Sequence, residues 1–251
     1  MFVIVDMSDG QKRIFEKFRK HEIELKRHDV KGCAPFFVAH CHRDYTDFDE
    51  LKKIVSRYGV ALFAQNDILT QKLTPVAFTP TVLPLKMLIK TVGEFFARQS
   101  ERCNLSVAVI DKSARACDTM STLAENVRYV RVITSRFDRY EICASEIFAS
   151  YGISIDLSDN VASAYGSDVV ISVDDAGLSN FDRGKIICYK KQTQNKNVFT
   201  LSQSDLNYAK FDCERYGIDK FTFICALYET CGYHLPHIPC FKDMGELNHI
   251  L

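Results

Sequence analysis

The sequence predicts an α/β protein of two lobes, with parallel sheets flanked by helices. Three observations carry that reading. Short apolar runs alternate with helical stretches of about a dozen residues, the signature of strand and crossover helix. A break rich in proline and threonine, from Thr74 to Pro84, divides the alternation in two. The composition is that of a globular chain, 47 % hydrophobic and 25 % charged over 251 residues, which suffices for two modest domains.

The first lobe opens on the apolar run Phe2 to Val5, and a helical pattern follows with Ile14, Phe18 and Leu25 near multiples of 3.6. Pro35 to Ala39 reads as a second strand. Thr46 and Asp49 form a candidate capping box ahead of Phe48, Leu51, Ile54, Val55 and Tyr58, with Gly59 as the stop signal. Val60 to Ala64 makes a third strand. The break from Thr74 to Pro84 interrupts all periodicity and is expected to be an extended connection. It sets the domain expectation: 1–84 for an N-terminal α/β domain and 85–251 for a second domain with C-terminal helices and tail.

The second lobe begins with a strong apolar helical face, Leu85, Leu88, Ile89, Val92, Phe95 and Phe96. The alternation then continues as strand Leu105 to Ile110, helix Cys117 to Asn126, strand Tyr129 to Ile133, helix Asp138 to Tyr151 and, past Gly152, strand Ile153 to Ile155. Val169 to Val173 and Lys185 to Tyr189 complete the strands. Such spacing implies right-handed crossovers and a parallel sheet covered on both faces. Helices are expected at Ser204 to Tyr216 and Lys220 to Thr230, and a proline-containing tail follows that is free to pack on either domain.

Several classes are disfavoured. Thirty-two basic residues balance thirty-two acidic ones, so no broad field is available to hold nucleic acid or an anionic membrane surface. No apolar stretch approaches the roughly 20 residues of a membrane span. Asp6 and Asp9 follow the first apolar run too closely for a signal or transit peptide, and ten cysteines in such a chain read as reduced core thiols. Cytoplasm is the expected compartment. Phe95, Phe96, Phe221 and Phe223 read as packing residues, since no basic stripe is interleaved with them.

In a dinucleotide-binding unit, glycines after the first strand allow a tight turn and let a pyrophosphate approach backbone amides. The corresponding stretch here is Asp111-Lys112-Ser113-Ala114-Arg115-Ala116. On the G-x-G-x-x-G/A spacing Asp111 takes the first glycine position, Ser113 the second, and Ala116 is an allowed third. Asp111 is expected to set a carboxylate where a pyrophosphate lies, with Lys112 and Arg115 offering compensating charge. Both a solvated connecting turn and an anion or nucleotide site remain open readings of this segment.

Further residues carry a resemblance: Thr134-Ser135-Arg136, the helix Tyr140 to Ser145, and the run Ser167 to Val173. From about Leu85 to Leu178 the chain resembles the shikimate dehydrogenase and glutamyl-tRNA reductase group of NAD(P)-binding Rossmann domains. The resemblance implies a Rossmann-like C-terminal lobe. It also implies a turn after the second strand whose arginine faces an adenosine 2′-phosphate; Arg136 matches it, and Ser135 stands in place of the group's asparagine. A loop beside the nicotinamide would fall at Asp174 to Leu178, matching in Gly177. Asp111 and the pair Asp174-Asp175 depart from the group by adding carboxylates, and its catalytic Lys/Asp pair has no identified counterpart in the first hundred residues. The implied cofactor-binding set is Asp111, Ser113, Ala116, Ser135, Arg136 and Gly177. NADP, through Arg136, or NAD would be the cofactor, and a small metabolite would occupy the cleft between the lobes.

Two other constellations stand apart. Cys231, His234, His237 and Cys240 recur at intervals of three with ligand types that zinc prefers, although Pro236 and Pro239 oppose a regular helix there. His40-Cys41-His42 ends the second predicted strand, so alternation sets both histidines on one side and Cys41 on the other. With Arg43 and Asp44 they form a candidate acid/base or anion site, a candidate Cys/His pair, or a polar strand-end loop. The functional expectations are accordingly a diverged NAD(P)-type oxidoreductase, a non-catalytic small-molecule-binding or regulatory protein, and a zinc-binding protein.

Overall fold

The computed structural model describes residues 1–8, 23–42, 46–64, 67–98, 103–173, 178, 185–188, 198–200, 211–235 and 237–241. The chain divides into two compact units, one of Met1–Pro80 with Asp205–Pro236 and one of Thr81–Ser204 with His237–Leu251. The expected boundary at 84/85 assigns 205–236 to the second domain, whereas this segment clusters with the first unit. Ring packing and main-chain bonds, described next, are the reason.

The first unit is built on β1 (Phe2–Ser8), β2 (Glu24–His28), β3 (Phe36–His42) and β4 (Val60–Phe63), in the order β2-β3-β1-β4. β1 runs parallel to both β3 and β4, while β2 is an antiparallel edge. Leu25 therefore lies in a strand, not in the expected helix; Ile14 and Phe18 fall outside the described residues. A charged strand of this kind suits a sheet edge, where outward-facing polar groups discourage pairing with another chain.

One face of this sheet packs Val3, Val5, Ala39 and Cys41 against Leu51 and Val55 of α1 (Phe48–Tyr58) and against Leu69 and Leu73 of α2 (Asp67–Leu73), a helix not expected from the sequence. Asp47, not Thr46, caps α1: its carboxylate accepts from the N–H of Asp49 and Glu50, while the Thr46 hydroxyl donates to the His42 carbonyl. The other face carries Phe2, Ile4, Phe36, Val38 and Leu62, covered by residues 211–231. There α6 (Lys220–Cys231) brings Phe223 edge-on to Phe36 with ring centroids 5.3 Å apart, and Phe211 stands edge-on to Phe36 at 5.0 Å. The Ala34 N–H donates to the Cys231 carbonyl at 2.9 Å, which ties the end of α6 to the sheet. The helix expected over Ser204–Tyr216 is reduced, in its described part, to a 3-10 turn at Glu214–Tyr216.

The second unit begins with α3 (Val82–Ala97), so Leu83 and Pro84 belong to a helix and not to an extended connection. Proline is compatible with a first helical turn, where its missing N–H has no partner in any case. The elements that follow are β5 (Cys103–Ile110), a 3-10 turn (Cys117–Thr119), α4 (Met120–Ala124), β6 (Val127–Ile133), α5 (Phe137–Tyr151), β7 (Ile155–Ser158), β8 (Val169–Ser172), β9 (Lys185–Cys188) and β10 (Val198–Thr200). All six strands are parallel, in the order β10-β9-β8-β5-β6-β7. Counted from β5 as the first, this is the 3-2-1-4-5-6 order of the doubly wound dinucleotide fold, in which the connections reverse direction between the first and fourth strands. The expected α/β class with parallel sheets and helical cover is the observed one. The helix expected over Cys117–Asn126 is split into the 3-10 turn and the five-residue α4.

Among the described residues, Cys41, Cys213, Cys225 and Cys231 are buried free thiols, and no helix is long and apolar enough to cross a membrane. Burial pushes the Cys41 thiol up to about 12, and the Cys143, Cys213 and Cys240 thiols to about 11. Between the ordinary value of 9.0 and these values the unfolded chain has lost protons that the folded chain retains. Stability is therefore expected to be unaffected by these groups below pH 9 and to fall as the pH rises from 9 to 11. A series of urea midpoints from pH 7 to 10.5 checks this; a midpoint that stays constant across the series would contradict it.

Candidate functional site

β5 is one of the two central strands of the second sheet, and its carboxyl end at Ile110 lies at the point where the strand order reverses. The chain leaves it through Asp111 to Ala116, the segment that stands at the glycine-motif position. Asp111 is 5 % exposed, and its Oδ2 accepts from the Ala116 N–H at 2.8 Å and the Tyr140 hydroxyl at 2.8 Å. One oxygen of the Asp111 carboxylate is thereby held within the turn, while the residue itself also lines the cavity beside it. Asp111 spends that oxygen inward, pinning its own turn to α5 through a fully buried tyrosine.

Ala114 is the one non-glycine residue with positive φ among the described residues, at 51°. An alanine in the left-handed region costs about 1 kcal/mol or more. Its N–H donates to the Asp111 carbonyl, and its own carbonyl accepts from the Cys117 thiol. Local strain that the surroundings enforce is concentrated at functional loops. Ala116, at the third glycine position, is fully buried, as close packing of this turn on the sheet requires.

A cavity of about 220 Å³ opens beside this turn. Asp111, Lys112, Ser113 and Arg115 line it from the turn, Ser172 from the carboxyl end of β8, and Val82 and Leu85 from the first turn of α3. Lys112, Ser113 and Arg115 are all exposed. Among the described residues neither Lys112 nor Arg115 has an ion-pair partner, and no acceptor takes the N–H of Lys112, Ser113 or Arg115. Two cations and the Asp111 carboxylate therefore line one concavity, located where ligands of open parallel sheets bind.

The remaining implied cofactor residues are only partly assembled. Ser135 is held beside the turn, its N–H donating to the Lys112 carbonyl at 3.2 Å. Arg136 forms a two-pronged ion pair with Asp138, Nε to Oδ1 at 3.0 Å and Nη2 to Oδ2 at 2.8 Å. The guanidinium holds the Asp138 carboxyl below its ordinary range. Gly177, with Asp174 to Ala176, lies outside the described residues. Tyr140 enters the sequence reading only through the resemblance carried by the helix Tyr140 to Ser145, and the left-handed backbone of Ala114 has no sequence signal of its own.

In the first unit, His40 Nδ1 lies 2.8 Å from Asp6 Oδ2, two residues facing each other on adjacent strands β3 and β1. Cys41 is buried on the opposite face, which separates it from His40 as the alternation predicts. Arg43 and Asp44 fall outside the described residues. Among the described residues no group of three or more His, Cys, Asp or Glu side chains is placed to hold a metal ion. Cys231, for its part, ends α6 with its thiol turned to the Pro35 carbonyl, and His234 and His237 are exposed.

Fold and cavity together define a Rossmann-like α/β protein. No family model and no curated protein matches the sequence. Solved structures similar to the chain include ornithine carbamoyltransferase from Pyrococcus furiosus, 11 % identical with a TM-score of 0.33 over 65 % of this chain and 66 % of that one. L-tryptophan dehydrogenase from Nostoc punctiforme is 12 % identical with a TM-score of 0.28, over 78 % of this chain and 56 % of that one. A shikimate dehydrogenase in complex with NADP+ is 9 % identical with a TM-score of 0.28, over 60 % and 66 %. The chain spans less than two thirds of the length of each.

Proposed function

We propose that the second unit is a small-molecule-binding or regulatory module whose ligand carries a phosphate or carboxylate, seated against Lys112, Ser113 and Arg115. The observation that carries this reading is the cavity at the switch point between β5 and β8, flanked by two unpaired cations. Its size favours a ligand smaller than a dinucleotide, since about 220 Å³ lies below the usual range of roughly 300 to 1,000 Å³ for ligand pockets. The short α4 argues the same way, because a five-residue helix supplies little of the dipole that ordinarily receives a pyrophosphate.

A second reading, an NAD(P)-type oxidoreductase acting on a small metabolite, is favoured by the strand order of the second sheet. In that reading Asp111, Ser113, Ala116, Ser135, Arg136 and Gly177 surround the cofactor. With the Arg136 fork already engaged by Asp138, no preference for NADP over NAD follows.

Thermal shift separates the two, because a ligand that binds only the folded state raises apparent stability by about 2.7 kcal/mol at one hundred times Kd. Pyrophosphate, AMP and small dicarboxylates are expected to stabilise the wild type, and the Lys112→Ala/Arg115→Ala double variant is expected to lose the response. A larger shift with NAD or NADP than with any smaller anion selects the oxidoreductase reading. No shift with any of these, or with ATP or S-adenosylmethionine, rejects both.

A further inference from the structure

We propose that α5 is the surface through which two copies of this chain pair about a two-fold axis, the two helices lying antiparallel. β7, on which α5 packs, is the last strand of its sheet. The inner side of α5 buries Tyr140 and Ile147. Its outer side leaves Ile142 66 %, Phe148 58 % and Phe137 38 % exposed, three of the five most exposed large hydrophobic side chains among the described residues. Apolar groups gathered on one element in this way mark an interaction surface.

The spacing of these residues points to a second copy as the occupant. Phe137 and Phe148 are separated by about three helical turns and so share one flank of α5. Arg139 and Glu146, about two turns apart, share the opposite flank. Between the flanks lie Ile142, the small residues Ser145 and Ala149, which allow close approach of a partner helix, and Asp138, whose charge is met by Arg136; Glu141 lies beside the phenylalanine flank. Both flanking pairs are centred on one point, midway between Ile142 and Cys143. A two-fold axis through that point sets Phe137 of one protomer against Phe148 of its partner, and Arg139 against Glu146, each contact occurring twice. Isologous pairing needs this kind of self-complementarity. Among the described residues neither Arg139 nor Glu146 has an ion-pair partner in its own chain, so both charges are available across the axis.

The stripe from Phe137 to Phe148 covers about 16 Å of the helix, which places the contact at the small end of specific interfaces. Analytical ultracentrifugation of the full chain from about 1 to 200 μM tests the proposal, with circular dichroism as the check on folding. The wild type is expected to show a reversible monomer–dimer equilibrium. Ile142→Glu and Phe148→Glu, both at exposed positions, are expected to weaken it at least about tenfold without loss of structure. Arg139→Glu and Glu146→Arg are each expected to weaken it about tenfold, and the double exchange to return it to within about threefold of wild type. A wild type that is monomeric throughout, a dimer that none of these variants weakens, or a double exchange that fails to recover would overturn the proposal.

Discussion

Asp111→Ala is expected to lower the free energy of unfolding by about 2 to 4 kcal/mol, although it brings the turn after β5 closer in size to the glycine of a dinucleotide motif. The carboxylate is the acceptor for two buried donors, the Ala116 N–H and the Tyr140 hydroxyl. Alanine leaves both without a partner, and each such orphan costs about 1 to 3 kcal/mol. Tyr140→Phe isolates one of the two bonds and is expected to cost about 1 kcal/mol, because Asp111 then keeps its main-chain donor. Urea denaturation of the three proteins provides the comparison. If Asp111→Ala unfolds within 0.5 kcal/mol of wild type, a figure of about the size of a neutral surface change, the carboxylate does not anchor the turn.

Gly93→Ala is expected to destabilise by about 2 kcal/mol, the reverse of what helix propensity gives. In an open helix, alanine exceeds glycine by about 1 kcal/mol. Here a Cβ at position 93 would lie 2.6 Å from the Thr122 carbonyl oxygen, a backbone atom that cannot step aside without moving α4. Since α4 is joined to the Lys112 to Arg115 turn by the 3-10 turn Cys117–Thr119, the substitution is also expected to weaken ligand binding at the cavity. The measurement is again a denaturation midpoint, with the thermal-shift response recorded beside it; a stabilised Gly93→Ala would show that α3 and α4 are not in close register.

What the sequence discloses and what it conceals divide along physical lines. The strands of the second unit are legible because they are buried on both faces, so that Val107 to Val109 and Val169 to Ile171 read as unbroken apolar runs. β2 is not legible, because Glu-Leu-Lys-Arg-His at an exposed edge has no apolar periodicity to detect. The cap of α1 is misassigned by one residue, since Thr46 and Asp47 are both competent N-cap types and only geometry separates them. At the site, the loss of the glycines is evident from the sequence, but its meaning is not. That one Asp111 oxygen is held within the protein depends on Tyr140, 29 residues away, and that pairing has no local signature. The Asp6 and His40 pairing is hidden for the same reason, as it arises from strand register.

The first unit is assembled from two stretches of chain separated by the whole second sheet. Phe2 and Phe36 precede the rings that cover them, Phe211 and Phe223, by more than 170 positions. A ribosome-bound chain therefore carries a bare aromatic surface until those rings emerge, and a fragment ending at Pro80 keeps that surface permanently. Excising the N-terminal sheet for separate study calls for a graft of residues 211–235 onto it, since the half-covered piece has the stickiness of an unfinished core.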